Sequence, residues 1–264
     1  MIHIGPGGTG GLGYEEGLQY CHQHKLSCLE VEFTHGVQMS PATAKSVGRI
    51  AETNKVLLSV HAPYFINLVS KEKEKIIASQ KRIIDSCARG NYFYSALFRK
   101  KVPIVFHAGY YQDIDKSDVY ESVRDRILEL QEVIAEQDWN VLLCPELTGK
   151  PTQFGDENEL LRLAQETGCG MTIDFAHVLA RYNGTVDYAS LIRKLPQSFH
   201  AHYSGINYGL KGEKNHVPVD IAAWKKIALL LKKHDKNVTL ICESPDPLRD
   251  AVKMRTWVPA VARR

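Results

Sequence analysis

Short apolar, β-branched runs recur along the chain, and between them apolar residues return at every third or fourth position. Continuous apolar runs of strand length mark strands buried on both faces, whereas the three-to-four spacing marks helices with one buried face. The strand runs are Ile2–Ile4, Cys28–Phe33, Leu57–His61, Pro103–His107, Asn140–Glu146, Gly170–Asp174, Phe199–Tyr203 and Val238–Glu243. A helix after the second run opens at Ser40 and Pro41, a capping side chain followed by proline at the first helical position. Another opens at Ser117 and aligns Val119, Val123, Ile127, Leu130 and Ile134; a third, over Pro218–His234, aligns Ile221, Trp224, Ile227 and Leu231. Eight strand–helix pairs predict a parallel sheet wrapped by helices and closed into a (β/α)8 barrel.

The 264 residues fit one such barrel, so a single domain over 1–264 is expected, with no internal repeat or linker. Gly5, Gly7, Gly8, Gly10, Gly11 and Gly13 crowd the first strand's end, but their spacing is not the GxGxxG of a dinucleotide loop. A tight strand-to-helix turn explains them. The formal charge of +3 neither demands nor excludes a nucleic-acid partner, so the placement of individual Lys and Arg residues must decide. The six cysteines form no CxxC pair and three sit in strand-like runs, which predicts buried, reduced thiols in an intracellular protein. No apolar run of about 20 residues and no basic-then-apolar leader occurs, so a cytoplasmic protein without a membrane partner is expected.

Catalytic groups of such barrels gather at the C-terminal ends of the strands. Here those ends carry His61, His107, Glu146, Asp174 with His177, His200 with His202, and Glu243. A lone histidine at a strand end is usually just hydrogen-bonded. Six consecutive strands delivering imidazoles and carboxylates to one rim are another matter, because burying that many charges without cations costs several kcal/mol each. A divalent metal cluster makes them compatible. Histidine and carboxylate ligands without cysteine suit zinc, manganese or iron rather than calcium or magnesium. A single ion takes about four protein ligands at most, so this set implies at least two ions, and Glu213 and His216 of the loop GINYGLKGEKNHVP add material for a third. That loop otherwise reads as a solvated polar connection.

The motifs HAPYFIN, FHAG, PELTGKPTQFG, IDFAH, FHAH with GEKNH, and CES, in this order from Ile4 to Ser244, resemble the endonuclease IV family of zinc-dependent DNA repair enzymes. The resemblance implies a TIM barrel with about three zinc ions, cutting damaged double-stranded DNA on the 5′ side of abasic sites and trimming blocked 3′ ends. It implies that Glu146 bridges two ions, with His61 and His107 on the first, Asp174, His200 and Glu243 on the second, and His177 with the Glu213 loop on the third. Bacterial members place Asp-x-His in that loop, whereas here Glu213 is followed by Lys214, Asn215 and His216, so the histidine arrives one residue late. His216 is the expected ligand and Asn215 the alternative. His202 matches no ligand of the pattern and is expected behind the ligands or against substrate. Tyr64 matches an aromatic that such enzymes insert into DNA; Gln38 stands where they carry a wedging arginine; Lys150, Lys211 and Lys214 are the candidate phosphate contacts. The expected enzyme is a monomeric metal-dependent phosphodiesterase, using a water that ionises near neutral pH between ions, with manganese or iron possible substitutes for zinc.

A sugar isomerase or epimerase of the xylose-isomerase-like barrels is the competing reading, with the quartet Glu146, Asp174, His200 and Glu243 around one metal. It leaves His61, His107, His177 and His216 without work, but offers work to Glu30 and Glu32, which have no place among the zinc ligands. A non-catalytic DNA-binding barrel is the third reading, disfavoured because no expected ligand is missing.

Overall fold

Eight parallel strands close into a TIM barrel in a computed structural model that describes residues 1–258. The expected domain therefore runs past the described residues at 259–264. The barrel strands are β1 (Ile2–Pro6), β2 (Cys28–Glu32), β3 (Leu57–His61), β4 (Val102–Phe106), β5 (Val141–Pro145), β6 (Thr172–Asp174), β7 (Ser198–Tyr203) and β10 (Asn237–Cys242). Hydrogen-bonded order runs β2-β3-β4-β5 in one arc and β6-β7-β10-β1 in the other. Parallel bridges Gly7 to Glu30 and Glu146 to Thr172 join the arcs and complete the cylinder.

Helices α1 (Tyr14–Gln23), α2 (Pro41–Asn54), α3 (Lys73–Gly90), α4 (Lys116–Glu136), α5 (Glu157–Thr167), α6 (Phe175–Arg181), α7 (Tyr188–Lys194), α8 (Ile221–Lys233) and α9 (Pro247–Thr256) cover the outside. Their starts follow the capping chemistry in the sequence. Ser40 accepts from the Thr43 amide ahead of Pro41, and Asp156 with Glu159 forms a reciprocal capping box on α5. The α4 face Val119, Val123, Ile127, Leu130 and Ile134 is buried, and on α8 Trp224, Ile227 and Leu231 are buried.

The glycines after β1 are explained by close approach. A Cβ at Gly5 would lie 1.7 Å from the Cys28 carbonyl oxygen, and one at Gly7 2.6 Å from Glu32 Oε1. β1 and β2 could not come together otherwise, and no phosphate loop is needed to account for the run.

The seventh-strand loop is not the irregular connection expected. It folds as an antiparallel hairpin of β8 (Gly205–Gly209) and β9 (Gly212–Val217), packed against the end of β5 through Glu213 N–H donating to the Gly149 carbonyl at 3.1 Å. All six cysteines are buried and free. Among the described residues no helix is long and apolar enough to cross a membrane.

Candidate metal centre

Glu146 follows β5 and is 1% exposed at the barrel mouth, where four imidazoles surround its carboxylate. Oε2 lies 2.9 Å from His107 Nε2 and 3.2 Å from His61 Nε2; Oε1 lies 3.1 Å from His202 Nδ1 and 3.4 Å from His177 Nδ1. Around this centre three groups of donor atoms close up. They are His61, His107 and Glu146; Glu146, Asp174, His202 and Glu243; and Asp174, His177 and His216, with Glu213 Oε2 3.0 Å from His177 Nε2. The mouth is a cavity of about 740 Å³ whose walls include His61, His107, Glu146, His177, His216 and Glu243.

The chain fixes which nitrogen of each ring faces inward. His61 Nδ1 meets the Ala62 carbonyl at 2.8 Å, His177 Nδ1 the Leu147 carbonyl at 3.0 Å, and His216 Nδ1 the Glu243 carbonyl at 3.0 Å. A carbonyl only accepts, so each Nδ1 donates and each Nε2 turns a lone pair towards the cluster in the neutral ring. The Nε2 atoms of His177 and His216 face each other at 3.2 Å beside the Glu213 carboxylate, so one of them must carry a proton unless a cation lies between them. Asp174 spends Oδ1 on capping α6, at 2.6 Å from Ala176 N and 2.8 Å from His177 N. Its other oxygen, Oδ2, is buried with no hydrogen-bond partner. Converging imidazole nitrogens, which offer lone pairs once their protons leave, and an orphaned carboxylate oxygen are what divalent cations would satisfy, so the donor set fits a multinuclear site.

The sequence of residues 18–260 matches the xylose isomerase-like TIM barrel family. The chain belongs to that family. An uncharacterized protein of Methanocaldococcus jannaschii is 35% identical over 241 residues, spanning 86% of this chain and 85% of that one. Among solved structures, D-psicose 3-epimerase in the presence of D-fructose matches with a TM-score of 0.70 at 16% identity, covering 97% of this chain and 98% of its own. SacUVDE matches with a TM-score of 0.67 at 15% identity, covering 92% and 83%. At these identities the two structures share the fold of this xylose isomerase-like barrel and no more.

Within this family member the histidine beside Glu146, Asp174 and Glu243 is His202, not the expected His200. Both project to the barrel interior, because alternate residues of a strand share a face. Their heights differ: His202 pairs in register with Asp174, at the strand ends, while His200 pairs with Thr172 one layer deeper. His202 is also fully buried, which removes it from the expected contacts to DNA. Glu30, unassigned in the sequence, sits between the two rings. Its Oε2 is 2.9 Å from His200 Nε2 and accepts from Ser59 Oγ at 2.7 Å, and its Oε1 is 2.9 Å from His202 Nε2, off-line for a hydrogen bond but in ion-pair range. Nδ1 of His202 donates to Glu146 Oε1 at 3.1 Å, with Glu243 Oε1 at the same distance; a cation bound there would replace that proton, and Glu30 beside Nε2 would then favour the ring proton on Nε2. Replacing Glu30 with Gln is expected to weaken metal retention about 10- to 100-fold, read as the chelator concentration that removes half the metal.

The displaced histidine also has a structural cause. The β8–β9 register breaks between Asn207 and Tyr208, so that Asn207 opposes Asn215 while Tyr208 opposes Glu213, with Lys214 the extra residue. In a regular strand Glu213 and Asn215 would share a face; the bulge shifts the alternation, putting His216 on the Glu213 side. Asn215 is exposed, and its amide donates to the His216 carbonyl at 3.0 Å. His216→Ala is therefore expected to release one ion and leave the pair sharing Glu146, whereas Asn215→Ala leaves the content unchanged, as elemental analysis of the two variants would read.

Of the expected DNA contacts, Tyr64 is 56% exposed at the mouth with its ring 5.9 Å from that of His61, and Phe65 beside it is 66% exposed. Lys150 lines the mouth 3.8 Å from Glu213 Oε1, and Lys211 and Lys214 are exposed on the hairpin. Gln38 is exposed but outside the cavity wall. Glu32, the other unassigned carboxylate, is part of that wall.

Electrostatics follow from this crowding. Burial would raise the Glu146 carboxyl, but His202 and His107 outweigh it and hold it well below the usual range; Glu243, against the same burial, is drawn to about 2 chiefly by His202. Burial lowers His61, yet its bond to Glu146 and the surrounding carboxylates lift it to about 9. Asp174 is raised, by burial and by Glu243 and Glu146, against the pull of His177. Glu32 is raised to about 7, first by burial and then by Glu243. Protons on His61, His177 and His202, all raised by the carboxylates around them, thus balance those carboxylates where cations otherwise would.

Proposed function

We propose that this barrel is a metal-dependent phosphodiesterase of the endonuclease IV type, cutting damaged DNA on the 5′ side of abasic sites. The observation that carries the reading is the sharing of Glu146: four imidazoles meet one carboxylate, within three donor groups of a single mouth. Chemistry on a sugar needs one metal and two bases, whereas a phosphodiester spreads charge over several oxygens that separate cations neutralise.

His61, His107 and Glu146 would hold one ion, Glu146, Asp174, His202 and Glu243 a second, and His177, His216 and Glu213 with Asp174 nearby a third. Bound there, zinc or a similar divalent ion would supply a water that ionises near neutral pH and would neutralise the phosphate and the departing 3′ oxygen. The remaining work falls to the chain. Glu146 orients the attacking water along the line opposite the leaving oxygen. Lys150, at the wall, offers a cation to a flanking phosphate. Tyr64 and Phe65, apolar and exposed at the rim, suit stacking against bases next to a vacant position, and the exposed Lys211 and Lys214 extend the backbone contact along the hairpin. Glu32, titrating near neutrality, is placed to donate to a sugar hydroxyl in the mouth.

A sugar epimerase is the second reading, favoured by the completeness of the Glu146, Asp174, His202 and Glu243 quartet and by Glu32 in the cavity wall. Glu30 no longer supports it, since that carboxylate is taken up by His200 and His202 inside the barrel. The test is to incubate the zinc-loaded protein with a duplex bearing one abasic site. The proposal expects a single incision leaving a 3′-hydroxyl and a 5′-deoxyribose phosphate; intact duplex together with epimerisation of a ketose by the same preparation would replace it with the second reading.

A further inference from the structure

The barrel has a second opening, at the end away from the mouth. Between the N-terminal ends of β4 to β7 and helix α5 lies a cavity of about 860 Å³, walled by Leu142, Met171 and Phe199 on the strand side and Leu161 and Ala164 on the helix. This volume is that of sites for small organic ligands. Its two ends differ chemically. At the inner end, His200 forms part of the wall, 4% exposed; its Nε2 lies 2.9 Å from Glu30 Oε2, and its Nδ1 is buried with no hydrogen-bond partner. With the Nε2 proton engaged by the carboxylate, Nδ1 of the neutral ring is an acceptor without a donor. At the outer end stand Lys100 and Lys101, both exposed, and among the described residues neither makes an ion pair.

We propose that this cavity binds an amphipathic hydroxy acid: an apolar ring or short chain whose hydroxyl donates to His200 Nδ1 and whose carboxylate meets Lys100 and Lys101. The apolar middle matches Leu142, Met171 and Phe199, the inner acceptor selects a donor, and the outer lysines select an anion. The inference does not rest on the phosphodiesterase reading, since none of these residues lies among the donor groups of the mouth.

Calorimetry with three probes separates the elements: 4-hydroxycinnamate, cinnamate, which lacks the hydroxyl, and 4-hydroxycinnamyl alcohol, which lacks the charge. Saturable binding of one 4-hydroxycinnamate per chain is expected, with each of the other two weaker by about fivefold or more. His200→Phe should bring 4-hydroxycinnamate down to the level of cinnamate. Lys100→Gln with Lys101→Gln, at exposed positions that leave the fold intact, should bring it down to the level of the alcohol. Ala164→Trp, which fills the cavity, should abolish binding while thermal unfolding still shows a folded protein. Absence of saturable 4-hydroxycinnamate binding, or binding unaffected by the double lysine variant or by Ala164→Trp in a folded protein, overturns the proposal.

Discussion

Glu146→Gln is expected to lower abasic-site incision by about three orders of magnitude or more, with the fold retained, because it removes the one carboxylate common to four imidazoles. The amide preserves size but not charge, and it turns one of the two accepting oxygens into a donor. His61 and His107 would then face a neutral group, and the first and second donor groups would lose their shared anion together. No apolar packing is disturbed, so a circular dichroism spectrum and a cooperative melt like those of the parent should accompany the loss. Single-turnover incision of a labelled abasic duplex measures it. A variant that cuts within tenfold of the parent would show that Glu146 is not the bridging group.

Removal of metal should have the second large effect, on stability as well as on activity. Asp174 is fully buried with one oxygen that no hydrogen bond reaches, Glu213 Oε2 likewise makes no hydrogen bond although His177 Nε2 lies 3.0 Å away, and the His177 and His216 rings meet nitrogen to nitrogen at 3.2 Å. Without cations these groups must take up protons or stay uncompensated at a cost of several kcal/mol. An ion present at about a thousand times its dissociation constant stabilises the native state by about 4 kcal/mol, which in a chain of this size is a shift of about 10 °C in Tm. Exhaustive chelation is therefore expected to lower Tm by about 10 °C and to abolish incision, both restored by added zinc. An unchanged melting curve in protein shown to be metal-free would mean that the donor groups are not cation sites.

Much of this was legible in the sequence. Strand-length apolar runs gave the barrel, and the rule that function sits at the C-terminal strand ends gathered His61, His107, Glu146, Asp174, His177 and Glu243 at one mouth. Where the reading failed, periodicity was the wrong instrument. A period of two assigns His200 and His202 to the same face and says nothing of height along the barrel axis, which depends on the register with Asp174 across β6. Glu30 was opaque for a related reason: a carboxylate on a strand is recognisable as buried, but its partners come from β3 and β7, far away in sequence. The hairpin was hidden because its residues are polar and short-range signals read them as loop, and the bulge at Lys214 appears in the sequence only as a histidine one position out of phase. That misfit was the available signal, and the choice of His216 over Asn215 agrees with where the bulge turns each side chain.

The central claim, one multinuclear centre of three donor groups in which Glu146 joins the first two and Asp174 the second and third, meets its most direct test in the metal content of the protein as purified from cells. Elemental analysis is expected to find about three divalent ions per chain, falling to about two in His216→Ala. One ion per chain, unchanged by loss of His216 or of His61, would contradict the account and leave a single-metal barrel built on Glu146, Asp174, His202 and Glu243.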